Sequence, residues 1–331
     1  VAFLTGCSSP PVRQTETELL LGTTISVTTY GDVPSSVFDE IFARVQEIEA
    51  KMSTSEEDYV MTELMEVNEA AGEEPVEVSQ DTFEVVKQAV EYSRATNGAF
   101  DVPVQPLVSL WGIGTEWAAV PEEEQITEAV RAIDYRKVEL DTQSQTIYLP
   151  EPEMGIDVGG IAKGYAADEA ARILREADVD SALLDFGGNI LTIGTKPDGT
   201  SWRIGIQTPD ASRGEFIGIA EVVDRAVVTS GTYERFFVED GVRYHHILDT
   251  DTGYPVRNGL DSVTIVTEVS IRADALSTAI FAMGLDRGRE FVERRPDVEA
   301  IFVTTEKLVY MTSGVDDFFS MTNEEFTLAE E

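Results

Sequence analysis

The spacing of apolar positions changes period several times along the chain, and each change marks an expected element. Residues 22–30, GTTISVTTY, alternate apolar and Thr positions with the period of two that suits a strand. From about Ser36 to Met52 the period becomes helical, placing Phe38, Ile41, Phe42, Val45, Ile48 and Met52 on one core-facing side. A second helix is expected to open at Asp81, with Glu84 as its capping-box partner, and to stop at Asn97-Gly98. Residues 98–114 contain two prolines and are expected to form a structured loop. An amphipathic surface helix follows over 121–132, a strand over 146–149, and a helix over 161–177. A strand over 181–194 is interrupted at Gly187-Gly188.

Apolar runs then succeed one another at 202–207, 216–223 and 225–229, which favours antiparallel pairing. Residues 231–258 are polar and aromatic. A strand at 261–267, helices at 271–283 and 286–294, and strands at 299–303 and 308–312 complete the pattern. The fold class implied is α+β, with mixed, largely antiparallel sheets flanked by helices. Residues 1–18 are set apart as a leader remnant and polar tether, 19–320 as one large domain, and 321–331 as an exposed acidic tail.

Composition adds one constraint. Of 331 residues, 62 are acids and 24 are bases, so the net charge is −38 and the pI about 4.2. No basic patch is present, which disfavours nucleic-acid binding, and the acidic coat reads first as a solubilising surface. Any anionic ligand would need local cations or a divalent metal. The single cysteine, Cys7, excludes an internal disulfide. Its setting, Leu4-Thr5-Gly6-Cys7 followed by Ser8-Ser9-Pro10-Pro11, resembles a bacterial lipobox, so an extracytoplasmic protein anchored to the membrane through lipidated Cys7 is expected.

Candidate chemistry is densest in Gly155 to Asp168, GIDVGGIAKGYAAD. Paired glycines before a helix start, with Lys163 beyond them, suit a phosphate, and Asp157 would face a metal or a base edge. A tight strand-to-helix turn with a solvated lysine has the same spacing, and neither GxxxxGK[ST] nor GxGxxG is met. Both histidines form one dipeptide, His245-His246, and on an extended segment only one of them can enter a given site. Asp274, Ser277 and Thr278 share a helix face, an oxygen set suited to Mg²⁺ or simply an acid complementing the helix dipole.

Taken in order, eight elements resemble the ApbE family of extracytoplasmic FAD:protein FMN transferases. They are LLGTTISV, the Met52 to Thr54 element, GAFDVPVQPLVSLWGIG, IDVGGIAKGYAAD, LLDFGGN, SGTY at Ser230 to Tyr233, YHHILDTDTGYPV and ADALSTAIFAMG. The resemblance implies that Leu21, Ser55, Ala99, Phe100, Asp101, Asp157 and Lys163 contact FAD. It implies that Gly160, Asp274, Ser277 and Thr278 hold or adjoin Mg²⁺, and that His246 is the general base. Phe100 or Trp111 could pack on the ring systems. The activity implied moves FMN from FAD to a Thr or Ser hydroxyl of a partner protein with release of AMP. The acceptor context expected resembles Ser/Thr-Gly-Ala-Ser/Thr in a membrane redox complex. An FAD pyrophosphatase, a non-catalytic flavin-binding lipoprotein, and an adhesion or solute-binding lipoprotein remain the alternatives.

Overall fold

The computed structural model describes residues 12–55, 60–212 and 214–329; Cys7 and its lipobox-like setting lie outside them. Strands and helices are numbered in chain order. A nine-stranded sheet runs β1 (Arg13–Leu20), β2 (Thr23–Tyr30), β6 (Ala182–Phe186), β7 (Asn189–Ile193), β10 (Ala226–Gly231), β13 (Leu260–Thr267), β14 (Val298–Thr304), β15 (Leu308–Met311), β17 (Thr327–Leu328). All its pairings are antiparallel except β15 with β17. Three small sheets accompany it. They are β3 (Val76–Glu77), β5 (Thr146–Tyr148) and β4 (Glu139–Asp141); β16 (Phe319–Met321), β9 (Phe216–Val222) and β8 (Trp202–Gln207); and the hairpin β11 (Phe236–Glu239) with β12 (Val242–His245). The helices are α1 (Ser35–Met52), α2 (Glu63–Glu69), α3 (Gln80–Ala95), α4 (Gln105–Trp111), α5 (Glu123–Arg131), α6 (Ala162–Glu176), α7 (Ser270–Met283) and α8 (Leu285–Glu293).

The expected α+β class is what the structure has. The near-continuous apolar runs of β10, β13 and β14 follow from layering, because both faces of the large sheet are covered. Ala226, Val228, Val263, Ile265, Ala300 and Phe302 face the helices, whereas Val227, Val266, Ile301 and Val303 face the β8–β9–β16 sheet. On the helical face, α7 is apolar almost all round and buried accordingly. Among the described residues no helix is long and apolar enough to cross a membrane.

Some expectations are corrected. The tether expected through residue 18 gives way at Arg13 to β1, which is largely exposed and pairs with β2 along its whole length. At the other end, Phe326 is buried and β17 joins the large sheet, so the expected exposed tail is held down past residue 321. The 98–114 loop contains α4, admitted because its Pro lies at the helix start, where no N–H is needed. Helix α2 carries no strong apolar signal and was not expected. Asp81 does not cap α3: the N-cap is Ser79, and the Ser79 N–H, its hydroxyl and the Thr82 hydroxyl all donate to Glu63. Asp81 instead accepts two bonds from Arg44 at 2.8 and 2.5 Å, one from Lys51 at 2.7 Å and one from Tyr165 at 2.7 Å, joining α1, α3 and α6. The Arg44 guanidinium beside it holds the Asp81 carboxyl well below the usual range.

Helices α6 and α7 exchange carboxylates. Asp168 of α6 accepts the Ser270 and Ile271 N–H groups at 2.9 Å each, satisfying donors that the first turn of α7 leaves free. Asp274 of α7 accepts the Gly164 N–H at 2.8 Å. The backbones touch at Gly164, where a Cβ would lie 2.5 Å from the Ser270 carbonyl oxygen and 2.6 Å from the Ile271 Cα. Gly164→Ala is therefore expected to lower stability by about 1–3 kcal/mol through overpacking against backbone. Denaturant unfolding followed by circular dichroism checks this; an unchanged midpoint would show that the two helices can separate at no cost.

Candidate active site

A cavity of ≈ 850 Å³ opens where the β1–β2 turn, the β6–β7 turn, the start of α6, the middle of α7 and the chain after β12 converge. Of the residues expected to form a site, Ala99, Phe100, Asp101, Asp157, Gly160, Lys163, His246, Asp274 and Thr278 all line it. Leu21 does not; its left-handed turn position places Gly22 on the wall while its own N–H donates to Glu49 at 2.7 Å. Ser55 is exposed and is not among the lining residues. Ser277 lies behind the wall, donating to the Asp274 carbonyl and sharing a 2.8 Å hydrogen bond with Ser230. A smaller cleft of ≈ 480 Å³ near Arg175 and Glu268 lacks this chemistry, and Arg225 there is already paired with Glu268.

The glycine turn differs from the phosphate cradle expected. The Gly159 N–H is taken by Asp157 at 2.7 Å and the Gly164 N–H by Asp274, so two of the free donors are already filled by carboxylates. Asp157 also accepts the Thr54 hydroxyl at 3.0 Å, which ties the end of the α1 loop to the turn. Asn68 holds the same stretch from the other side, exchanging both side-chain bonds with the Ile156 backbone at 2.7 and 2.9 Å. What remains available at the cavity is the Lys163 ammonium, 3.9 Å from Asp274, and the Gly160 backbone beneath Phe100. Trp111 is no ring platform: it is fully buried, donates to the Gly253 carbonyl at 2.8 Å and packs on Phe237, Tyr244 and Tyr254.

The two histidines divide as strand alternation requires. His245 is buried, and its Nε2 lies 2.8 Å from the Val256 carbonyl. His246 lines the cavity, and its Nδ1 lies 3.3 Å from the Arg235 carbonyl. A carbonyl can only accept, so Nδ1 carries the proton and Nε2 keeps the lone pair. Desolvation, reinforced by the nearby Arg235 charge, pushes the His246 imidazole down to about 3, so it is neutral near pH 7 and can take a proton. Asp101 moves the other way: burial, then the Asp134 charge, push it up to about 7, and its Oδ1 is buried with no partner. A buried oxygen without a partner on a cavity wall suits a ligand donor.

Five acids (Asp101, Asp157, Asp185, Glu234, Asp274) and three bases (Lys163, Arg203, Arg235) line the cavity, so the wall alone does not favour an anion. The residues present fit one hard divalent cation. Asp274 uses one oxygen on Gly164 and has the other 3.9 Å from the Lys163 ammonium, Thr278 adds a hydroxyl, and a Cβ on Gly160 would lie 3.6 Å from that hydroxyl. Among the described residues no group of three or more His, Cys, Asp or Glu could cage a metal. Such a cation would therefore complete its shell with water or ligand oxygens, as Mg²⁺ commonly does. Sequence reasoning missed Arg235 and Asp168. Arg235 lines the cavity over Gly22 and Gly114, and its guanidinium has no hydrogen bond or ion pair to a described residue. Asp168 lies one helical turn beyond Gly164, a spacing that could have marked it as sharing that face.

With two histidines in the chain, the His246 assignment can be tested by NMR titration, His246→Ala serving to assign the signals. His246 is expected to stay neutral from pH 8 down to 5; a midpoint near 6.5 would overturn the burial argument.

The model of the ApbE family matches residues 21–302. An FAD:protein FMN transferase of Klebsiella pneumoniae (strain 342) is 38% identical over 252 residues, covering 76% of this chain and 78% of that protein. One from Treponema pallidum (strain Nichols) is 34% identical over 328 residues, 94% of this chain and 90% of that protein. The crystal structure of an ApbE protein from Thermotoga maritima superposes with a TM-score of 0.85 at 34% identity, covering 93% of this chain and 99% of that one.

Proposed function

The chain belongs to the ApbE family, and we propose that it is an FAD:protein FMN transferase using the cavity around His246 and Asp274. The observation that carries this reading is the neutral, part-buried imidazole with its Nε2 lone pair on the same cavity as a carboxylate that spends only one oxygen on the backbone.

In this reading FAD lies against Phe100 and Asp101, the partnerless Asp101 oxygen meeting a donor of the bound molecule, and Lys163 and Arg235 stand beside its phosphates. The acceptor's Thr or Ser oxygen forms a bond to the FMN-side phosphorus. The bond from that phosphorus to the bridging oxygen breaks, AMP leaves, and the hydroxyl proton passes to His246 Nε2. The hydrogen bond from Nδ1 to the Arg235 carbonyl holds the ring in the tautomer that this step needs. Gly160, Asp274 and Thr278, with Ser277 behind them, would hold Mg²⁺, which when bound neutralises phosphate charge that this acidic wall otherwise opposes. The Cys7 setting supports an extracytoplasmic, lipid-anchored enzyme.

The test is intact-mass analysis of an acceptor carrying Thr-Gly-Ala-Thr after incubation with the protein, FAD and Mg²⁺. An FMN-sized gain is expected. His246→Ala should slow it by about 10²–10⁴-fold. Asp274→Asn, which keeps an acceptor for the Gly164 N–H while removing the charge, should slow it by about 10²-fold or more. Free FMN and AMP with an unmodified acceptor would instead identify a pyrophosphatase, and intact FAD would remove the catalytic reading.

A further inference from the structure

The transferase reading above demands a second substrate, and the residues assigned to FAD occupy only part of the cavity. Its remaining wall is supplied by β8 and the start of β9: Arg203, Gly205, Gln207 and Phe216. Opposite them lie Thr24 and Ser26 of β2 and Asp185 of β6, Ser26 and Asp185 being paired neighbours in register. Tyr30, at the end of β2, packs on Trp202, at the start of β8, with ring centroids 5.9 Å apart. A trough therefore runs from the His246–Asp274 region along β8, floored by hydroxyls and one carboxylate.

Strand β8 is an edge strand. It pairs with β9 alone, and no other described backbone group bonds to Trp202–Gln207. Its Trp202, Ile204 and Ile206 side chains are anchored in the core between the sheets, so the edge is held rigidly. Proteins usually blunt such an edge, because its unpaired N–H and C=O groups invite another strand. Here Arg203, Gly205 and Gln207 of the same strand line the cavity. Beside it Phe216 lies over Gly205, where any Cβ would collide with the ring, and the ring remains 40% exposed.

We propose that the free edge of β8 receives the acceptor: an extended, hydroxyl-bearing segment of the partner protein adds to it as a strand. Backbone hydrogen bonds supply register, Phe216 contacts an alternate side chain, and the reactive hydroxyl is delivered along the trough towards His246. The site selects for extended conformation and against an acidic neighbour beside Asp185. No bond chemistry beyond the transfer already written is involved.

The experiment compares wild type, Phe216→Ala and Gly205→Val in transfer to a synthetic acceptor peptide carrying Thr-Gly-Ala-Thr, with KM read separately for peptide and for FAD. The peptide is also made with single backbone N-methyl groups at successive positions. Phe216→Ala and Gly205→Val are expected to raise the peptide KM about tenfold or more while FAD KM stays within about twofold. N-methylation should impair transfer at every second position, the spacing at which an added strand turns its N–H groups to its neighbour. A raised FAD KM, or unchanged peptide KM together with N-methyl effects lacking that period, overturns the proposal while leaving the transferase reading intact. If wild type splits FAD and leaves every acceptor unmodified, the transferase reading falls and this surface falls with it.

Discussion

The site depends on one close approach, the contact between α6 and α7 at Gly164. Two helices can come this near only where one has no side chain, and the contact would leave buried N–H groups without partners. Two carboxylates resolve this reciprocally, Asp168 serving the start of α7 and Asp274 serving the first turn of α6. Asp274 is thus fixed by folding before any ligand arrives, with one oxygen committed to structure and the other 3.9 Å from the Lys163 ammonium. Burial pushes Asp168 up to about 6 despite its two backbone donors, so the same arrangement holds a carboxylate in a setting that resists its charge. The raised value means that the charged form is disfavoured in the folded state, and this cost appears as pH rises through the interval between the unfolded carboxylate value and about 6.

The second constraint is charge. A chain with net charge −38 offers no long-range attraction to a pyrophosphate, so affinity must come from short-range groups. Most of the cations are engaged elsewhere: Arg44 and Lys51 join helices, and Arg172 is paired with Glu169 and Glu176. Of the three bases on the cavity wall, Arg203 faces Glu221 and Lys163 lies near Asp274, while Arg235 carries no such pairing to a described residue. A guanidinium without an acid among the described residues is the wall cation most open to an anion. The carboxylate and hydroxyl of α7 extend the same logic to a divalent cation.

Much of the fold was legible because burial imposes period. The α1 face from Phe38 to Met52 and the paired strands β10, β13 and β14 read correctly for that reason. Element β1 did not, because its side chains are mostly exposed and its pairing rests on backbone bonds that leave no apolar pattern. Asp81 was misread because a local capping rule was applied to a residue whose partners are 37 and 30 positions away. Gly159 was misread similarly: its N–H meets an acid two residues back and is not left for a ligand. Residue chemistry in the site was visible as motif, but the uses of Asp168 and Arg235 depend on packing between distant segments, which no local window contains.

The adjacent histidines show how such packing couples parts of the site. Alternation sends His245 inward, where it meets the Val256 carbonyl and packs edge-on against Phe281 with centroids 5.8 Å apart. Phe281 belongs to α7, the helix that carries Asp274 and Thr278. His246, one residue on, must then face the cavity, and its own N–H and Nδ1 both bond the Arg235 carbonyl. The buried imidazole therefore registers the strand against the helix, and through one peptide unit it sets where His246 enters the cavity. Neither His could be moved by one position without turning the cavity-facing ring into the core, so the dipeptide is a single device in which the structural ring aims its neighbour.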